Sequence, residues 1–168
     1  MAVPNIPPKT TDKISSKLLD FDQNNPRLIE DGIPDPNDAQ IIKVLADGSD
    51  LSELVASIAT NGYIDIEPMI VQRVNDRFRV LEGNRRLAAI RILQDPSLAK
   101  GTGIAVPSIS EEVRRSLARV TVYAVSSADQ ARDFIGFKHI NGPQMGCDSQ
   151  SSVRRRLVHE GAEERRHS

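Results

Sequence analysis

The chain has few of the residues that cross-link small secreted proteins or stack on nucleic-acid bases. Its single cysteine, Cys147, cannot form an internal disulfide and suits a reducing compartment, so we expect a cytoplasmic protein. The absence of tryptophan and an aromatic content of 4% disfavour a base-stacking platform for single-stranded nucleic acid. No apolar run approaches the roughly 20 residues that cross a bilayer, and the N-terminus lacks the features of a signal peptide, so no membrane association is expected.

A strong excess of one charge is also missing, because the formal net charge is −1. This value disfavours a surface that is basic throughout, as many nucleic-acid binders have, but it leaves room for a local basic patch. Hydrophobic residues at 39% and charged residues at 27% are typical of a globular protein. The 168 residues suffice for one domain of ordinary size with short extensions.

The order of periodic segments predicts one α+β domain, residues 14–143, between two extensions. Residues 1–13 are expected to be a flexible lead, and residues 144–168 a charged, poorly ordered tail. The predicted strands are 14–21, 69–73, 77–81 and 119–125. The predicted helices are 39–46, 52–60, 84–94, 110–117 and a last one that follows Ser126 or Ser127 and reaches Ile140.

The most informative segment joins a predicted strand to a predicted helix. Gly83 follows the strand, and Arg85 and Arg86 open an apolar helical pattern that continues to Gln94. Glycine permits close backbone approach, a helix N-terminus offers N–H groups and a partial positive charge, and arginine binds phosphate oxygens through a planar fork. The segment therefore predicts an anion cradle suited to a phosphate group.

Simpler interpretations of the same residues remain open at this point. Glycine before a basic helix start is common, and both arginines could be solvated or paired with nearby carboxylates. Asn25-Pro26-Arg27 could be an ordinary turn, and Glu82 could be a helix-start charge. The basic run Arg154-Arg155-Arg156 is interpreted as a solvated face, because nearby glutamates offset its charge.

The stretch Glu82-Gly83-Asn84-Arg85-Arg86 resembles the signature of the ParB/sulfiredoxin superfamily, specifically of the ParB-like N-terminal domain. The resemblance covers Ile14 to about Gly142 and implies a compact ParB/sulfiredoxin-like domain with a small mixed sheet packed by helices. Its further matches are Asn25-Pro26-Arg27, Asn61-Gly62 before Glu67-Pro68-Met69-Ile70-Val71, Ala88-Ala89, and Phe137-Lys138-His139-Ile140-Asn141-Gly142.

This resemblance implies a pocket for a nucleoside triphosphate, CTP by family, with a magnesium ion. The implied phosphate and nucleotide ligands are Gly83, Asn84, Arg85, Arg86, Arg27 and Asn25. Glu82 would help to hold the metal ion or orient a water, which makes it the candidate catalytic residue. Many ParB proteins have glutamate in place of Asn84, and that acid is linked to triphosphate turnover. Asparagine cannot act as a base, so the departure predicts binding more than hydrolysis.

The family contexts are bacterial or phage systems that act on DNA, such as chromosome or plasmid partition and phage defence. Full-length partition proteins carry a helix-turn-helix domain after this one, and we expect none in this chain. DNA contact would then come from a partner chain or a local basic patch, and a homodimer is a further expectation.

Three alternative functions compete with nucleotide binding. A metal-dependent nuclease would need converging carboxylates, for which Glu82 and Glu67 are the candidates. A non-catalytic interaction module would retain the fold with a degenerate pocket. A sulfiredoxin-type reductase is disfavoured, because its nucleophilic cysteine would have to stand at the position of Asn84.

Overall fold

The computed structural model describes residues 10–47 and 50–141, except for the side chains of Arg27 and residues 137–141. Within these residues, six α-helices and two 3₁₀ turns surround one five-stranded sheet. The sheet contains both parallel and antiparallel neighbours. The predicted α+β class with a small mixed sheet is therefore confirmed.

The elements follow one another along the chain with short connections. The strands are β1 (Asp12–Ser15), β2 (Leu19–Phe21), β3 (Met69–Val74), β4 (Arg77–Glu82) and β5 (Arg119–Val125). The helices are α1 (Pro26–Glu30), α2 (Asp38–Ala46), α3 (Asp50–Asn61), α4 (Asn84–Gln94), α5 (Glu111–Ser116) and α6 (Ala128–Asn141). The 3₁₀ turns are Ser16–Leu18 and Pro96–Ala99. The strands lie in the order β1-β5-β3-β4-β2.

The prediction of one strand over residues 14–21 is wrong. β1 pairs antiparallel with β5 at one edge of the sheet, and β2 pairs parallel with β4 at the other edge. The chain from Ser15 to Leu19 can span about 14 Å at most, whereas the edges of a flat five-stranded sheet lie about 19 Å apart. The sheet must therefore curl, so that its two edges approach each other at the Ser16–Leu18 turn.

Polar side chains of α4 hold this turn in place. The Ser16 backbone N–H donates to the carbonyl of Ala118 at 2.9 Å, and Gln94 Nε2 donates to Ser16 Oγ at 3.1 Å. Arg91 Nη2 donates to the carbonyl of Leu19. Ser16 is fully buried, so these partners replace the water that its hydroxyl and N–H have lost.

Helix α4 is the centre of the hydrophobic core, as its lack of a polar stripe predicts. Five of its residues have no exposed surface: Leu87, Ala88, Ala89, Ile90 and Ile92. They belong to one cluster with buried residues of α2, α3 and the concave face of the sheet. This burial fixes the direction of α4 and the position of its first turn.

The opposite face of the sheet carries a smaller hydrophobic cluster, formed with one helix. α6 packs there through Ala131, Phe134 and Ile135 against Ile70 and Val125. The rings of Phe134 and Tyr123 meet edge to face with their centroids 5.8 Å apart.

Most predicted elements are confirmed within two residues at each end, and α6 ends at Asn141, one residue beyond the predicted Ile140. α1 was not predicted, because Asn25-Pro26-Arg27 was interpreted as a turn. β1 begins at Asp12, two residues inside the predicted lead 1–13, and the predicted tail 144–168 lies outside the described residues. Among the helices that the structure describes, none combines the length and apolar character needed to cross a membrane.

Candidate functional site

Gly83 links β4 to α4 in a backbone conformation that favours glycine. Its φ is 108° and its ψ is 14°, in the left-handed region. A Cβ atom at this position would lie 2.8 Å from Met69 Cγ and 3.1 Å from Arg86 Nη2. Gly83 provides no side-chain cap, so the first-turn N–H groups of α4 lack that partner and carry the positive end of the helix dipole. The backbone at Gly83 therefore has the conformation that the predicted cradle requires, and the binding of an anion there stays a prediction.

The side-chain amide of Asn84 already has hydrogen-bond partners within the protein. The residue is 8% exposed, and its Nδ2 donates to the carbonyl of Val80 at 2.9 Å. Its Oδ1 accepts from the backbone N–H of Asp22 at 3.4 Å. The amide thus joins the start of α4 to β4 through Nδ2 and to the residue after β2 through Oδ1, which indicates a positioning role. Direct contact of Asn84 with a nucleotide stays a prediction.

The same contact brings the predicted facing loop to α4. The N–H of Asn25 donates to the carbonyl of Asp22, and the carbonyl of Asn25 accepts from Leu28 and Ile29 to begin α1. Arg27 lies in the first turn of α1, but its side chain is outside the described residues. The structure therefore ties the loop to the helix start, and the phosphate contacts of Asn25 and Arg27 stay predictions.

Arg85 lies at the exposed side of the helix start. Its Nη1 is 2.8 Å from Asp50 Oδ2, in the first turn of α3. The side chains of Arg85 and Asp50 are 39% and 67% exposed. An ion pair this open to solvent contributes about 1 kcal/mol or less to stability. A stronger anion could therefore replace Asp50 at small cost.

Arg86 is held much more firmly, with its side chain 18% exposed. Its Nη2 donates to Glu82 Oε2 at 3.0 Å, and its Nη1 donates to the main-chain carbonyl of Glu67. The Glu67 carboxylate lies 3.9 Å from Nη2. Arg86 thus connects the end of β4 with the segment that precedes β3. A phosphate that recruited Arg86 would compete with two glutamates.

Tyr63 is a member of this group that sequence reasoning missed. Its hydroxyl is buried and has no hydrogen-bond partner in residues 10–47 and 50–141. Burial raises the pKa of Tyr63. The positive charge of Arg86 and its closeness to the hydroxyl oppose this effect, while Asp65 and Glu82 reinforce it. The sequence signal was weak, because Tyr63 follows the helix-ending Gly62 in a segment without periodicity.

A preassembled metal centre is not visible in the part of the chain that the structure describes. No group of three or more His, Cys, Asp or Glu side chains in these residues could hold a metal ion. Glu82 and Glu67 both approach Arg86, so each could offer a carboxylate to a cation only by giving up part of that contact. Two carboxylates suit Mg²⁺ when substrate phosphates supply further oxygens. Cys147 and Arg154-Arg155-Arg156 lie outside the described residues.

A separate open cavity of about 540 Å³ lies along β2 and the β3–β4 turn. Arg77 and Asp20 meet there through two 2.8 Å hydrogen bonds, which raise the pKa of Arg77. The cavity is lined by none of Glu82, Gly83, Arg85 or Arg86. It is therefore distinct from the predicted cradle.

The chain is similar to known proteins over the region that contains this site. Residues 28–118 match the model of the ParB N-terminal domain family. A probable chromosome-partitioning protein ParB from Campylobacter jejuni subsp. jejuni is 39% identical over 82 residues, covering 49% of this chain and 28% of that protein. The alignment thus spans little more than a quarter of the relative's length.

A solved structure is also similar at a coarse level. It is the C-terminally truncated chromosome-partitioning protein ParB from Caulobacter crescentus, complexed with CTP-gamma-S, with a TM-score of 0.42 and 16% identity. The match covers 79% of this chain and 53% of that chain. The family match is the more specific finding, because it includes Glu67 and the Glu82–Arg86 turn and spans more than half of the 168 residues. The chain belongs to the ParB N-terminal domain family.

Proposed function

We propose that this domain binds a nucleoside triphosphate of the CTP type through its phosphates at the N-terminal end of α4. The observation that carries the proposal is the left-handed Gly83, which opens an otherwise buried helix whose first turn contains Arg85 and Arg86. Backbone N–H groups, the helix dipole and two guanidinium groups meet at this point, and each favours a bound anion.

The burial of α4 supports tight binding by reducing its entropic cost. Because the body of the helix is packed on all sides, its first-turn N–H groups are held in place before a ligand arrives. Preorganised donors lose little conformational freedom on binding. Arg85 is the cation most easily recruited, since its pair with Asp50 is open to solvent.

We expect binding without rapid hydrolysis. The Asn84 amide cannot act as a general base, and its two polar atoms contact Val80 and Asp22. Glu82 is the candidate for a Mg²⁺ contact and for any residual catalysis. The ion would offset the negative charge of the phosphates. Glu82 would then exchange its contact with Arg86 for a contact with the metal.

We further propose that the domain acts in a bacterial DNA-partition system, because the Campylobacter relative is named as a chromosome-partitioning protein. DNA contact would come from a partner chain or a local basic patch, and the active form would be a homodimer. Nuclease activity is not favoured, since the described residues contain no cluster of three metal-binding side chains.

Calorimetric titration with CTP, ATP and GTP, with and without Mg²⁺, tests the nucleotide proposal. We expect CTP with Mg²⁺ to bind most tightly, and Arg85→Ala to weaken that binding about tenfold or more, as loss of a charge-assisted contact predicts. Arg114→Ala is a matched control, because Arg114 is also an exposed helical arginine with a carboxylate partner, Glu111. The proposal is wrong if none of the three nucleotides binds, or if both variants weaken binding equally.

Glu82→Gln tests which of two roles Glu82 has: competing with the phosphate for Arg86, or binding the metal ion. If Glu82 only competes for Arg86, the variant should bind CTP more tightly whether or not Mg²⁺ is present. If Glu82 holds the ion, the variant should lose most of the gain that Mg²⁺ gives the unmodified protein. Equal affinities in all four titrations would remove Glu82 from the site.

A further inference from the structure

The hydroxyl of Tyr63 is an unpaired polar group at the edge of the proposed phosphate site. Its oxygen is buried, and no hydrogen-bond partner for it exists in residues 10–47 and 50–141. A buried polar group without a partner opposes folding, and most such groups in native proteins are paired. Phenylalanine would fill the same space without this cost. The hydroxyl therefore calls for a reason outside the stability of this state.

The backbone around Tyr63 cannot easily move to pair the hydroxyl. The N–H of Tyr63 donates to Ser116 Oγ at 2.9 Å. Two residues later, the Asp65 carboxylate accepts from the backbone N–H and the hydroxyl of Thr121 on β5, at 3.0 and 2.6 Å. These contacts fix the segment to α5 and to the sheet. Any partner of the hydroxyl must therefore come to it.

Arg86 is the neighbour that can move and donate a hydrogen bond to the Tyr63 hydroxyl. Its guanidinium group lies beside the Tyr63 hydroxyl without forming a well-aligned hydrogen bond, and its charge and this contact both lower a pKa that burial raises. The guanidinium group has five N–H donors, and in this structure it contacts Glu82 and the carbonyl and carboxylate of Glu67. A phosphate at the start of α4 would repel both glutamates and attract Arg86, so the guanidinium group must then change its partners.

We propose that Tyr63 is a positioning residue for the phosphate-bound state, in which its hydroxyl accepts a hydrogen bond from Arg86 and holds the guanidinium toward the ligand. This inference rests on the proposed nucleotide binding and adds a residue that acts through Arg86. Without a bound phosphate, the Tyr63 hydroxyl lies on a rigid segment and makes no well-formed hydrogen bond. On binding, one N–H of Arg86 moves from a glutamate oxygen to the Tyr63 oxygen.

Tyr63→Phe tests this role, because it removes only the hydroxyl. We expect the variant to be as stable as the unmodified protein or more so in thermal unfolding, and its affinity for CTP with Mg²⁺ to fall about five- to tenfold, the loss of one charge-assisted hydrogen bond. Tyr123→Phe is the control, since Tyr123 lies on β5 against Phe134 and outside the site. It should leave the affinity unchanged.

A double-mutant cycle shows whether Tyr63 acts through Arg86. In an Arg86→Ala background, Tyr63→Phe should cause no further loss of affinity, whereas in an Arg85→Ala background it should keep its full effect. Unchanged affinity in Tyr63→Phe, or an equal effect in both backgrounds, would overturn the positioning role and leave nucleotide binding intact. Absence of binding by the unmodified protein would overturn both proposals.

Discussion

The body and the first turn of α4 belong to one helix but have opposite environments. From Leu87 to Ile92 every residue except Arg91 is apolar and fully buried. From Gly83 to Arg86 the helix carries a left-handed glycine and polar side chains with partners on other elements. The body obtains its stability from apolar contact, while the first turn depends on three separate neighbours: the loop after β2, the start of α3 and the segment before β3.

This difference shows how the domain holds a polar site steady. The first turn cannot shift, because the helix behind it is packed against α3 and the sheet. Its polar contacts can be exchanged, because the Arg85 pair is exposed and Arg86 has alternative partners. Rigid backbone with exchangeable side-chain contacts is what a preorganised anion site requires.

The largest effect is expected from the body of the helix. Ile90→Ala should lower the free energy of unfolding by about 2–5 kcal/mol, because it leaves a cavity at a residue with no exposed surface. Urea unfolding measures the change. Ile64→Ala removes the same atoms from a residue that is 62% exposed and should change stability little. Equal losses in the two variants would contradict the central role of α4.

A smaller loss is expected from the first turn. Gly83→Ala should destabilise the protein by about 1–3 kcal/mol, since alanine is strained at φ 108° and its Cβ would crowd Met69 Cγ. Gly101→Ala is the matched control, because Gly101 has φ 76° but open space around it. The difference between the two unfolding free energies measures what the φ of 108° and the crowding of Met69 and Arg86 add to the cost at Gly83. If Gly101→Ala costs as much, packing at Gly83 is unimportant.

The exposed ion pair of Arg85 and Asp50 should matter least for stability but clearly for binding. Asp50→Asn should change the free energy of unfolding by about 1 kcal/mol or less, since Arg85 and Asp50 are open to solvent. It should raise the affinity for CTP severalfold at low salt by releasing Arg85, and the gain should shrink as salt is added. Calorimetry at two salt concentrations measures this. A lower affinity would show that Asp50 supports the site.

Local patterns predicted five of the six described helices and the β3–β4 hairpin, because each of these elements has its own signal. Asn37 caps α2 through a 2.9 Å bond from the N–H of Gln40, and Ser110 caps α5. The division of residues 14–21 was missed for a physical reason. Both halves are extended, and the turn at Ser16–Leu18 has no glycine or proline; it is held by Ala118, Arg91 and Gln94, which are distant in sequence.

The sequence by itself indicated the family, the α+β class and the place of the proposed phosphate site, because glycine, helix start and adjacent arginines are all encoded within a few residues. Only the tertiary structure decided how those residues are used. Asn84 ties α4 to the loop after β2, and Arg86 reaches the segment that carries Tyr63. Such partners are set by packing between elements about 20 to 60 residues apart, and no local pattern encodes them.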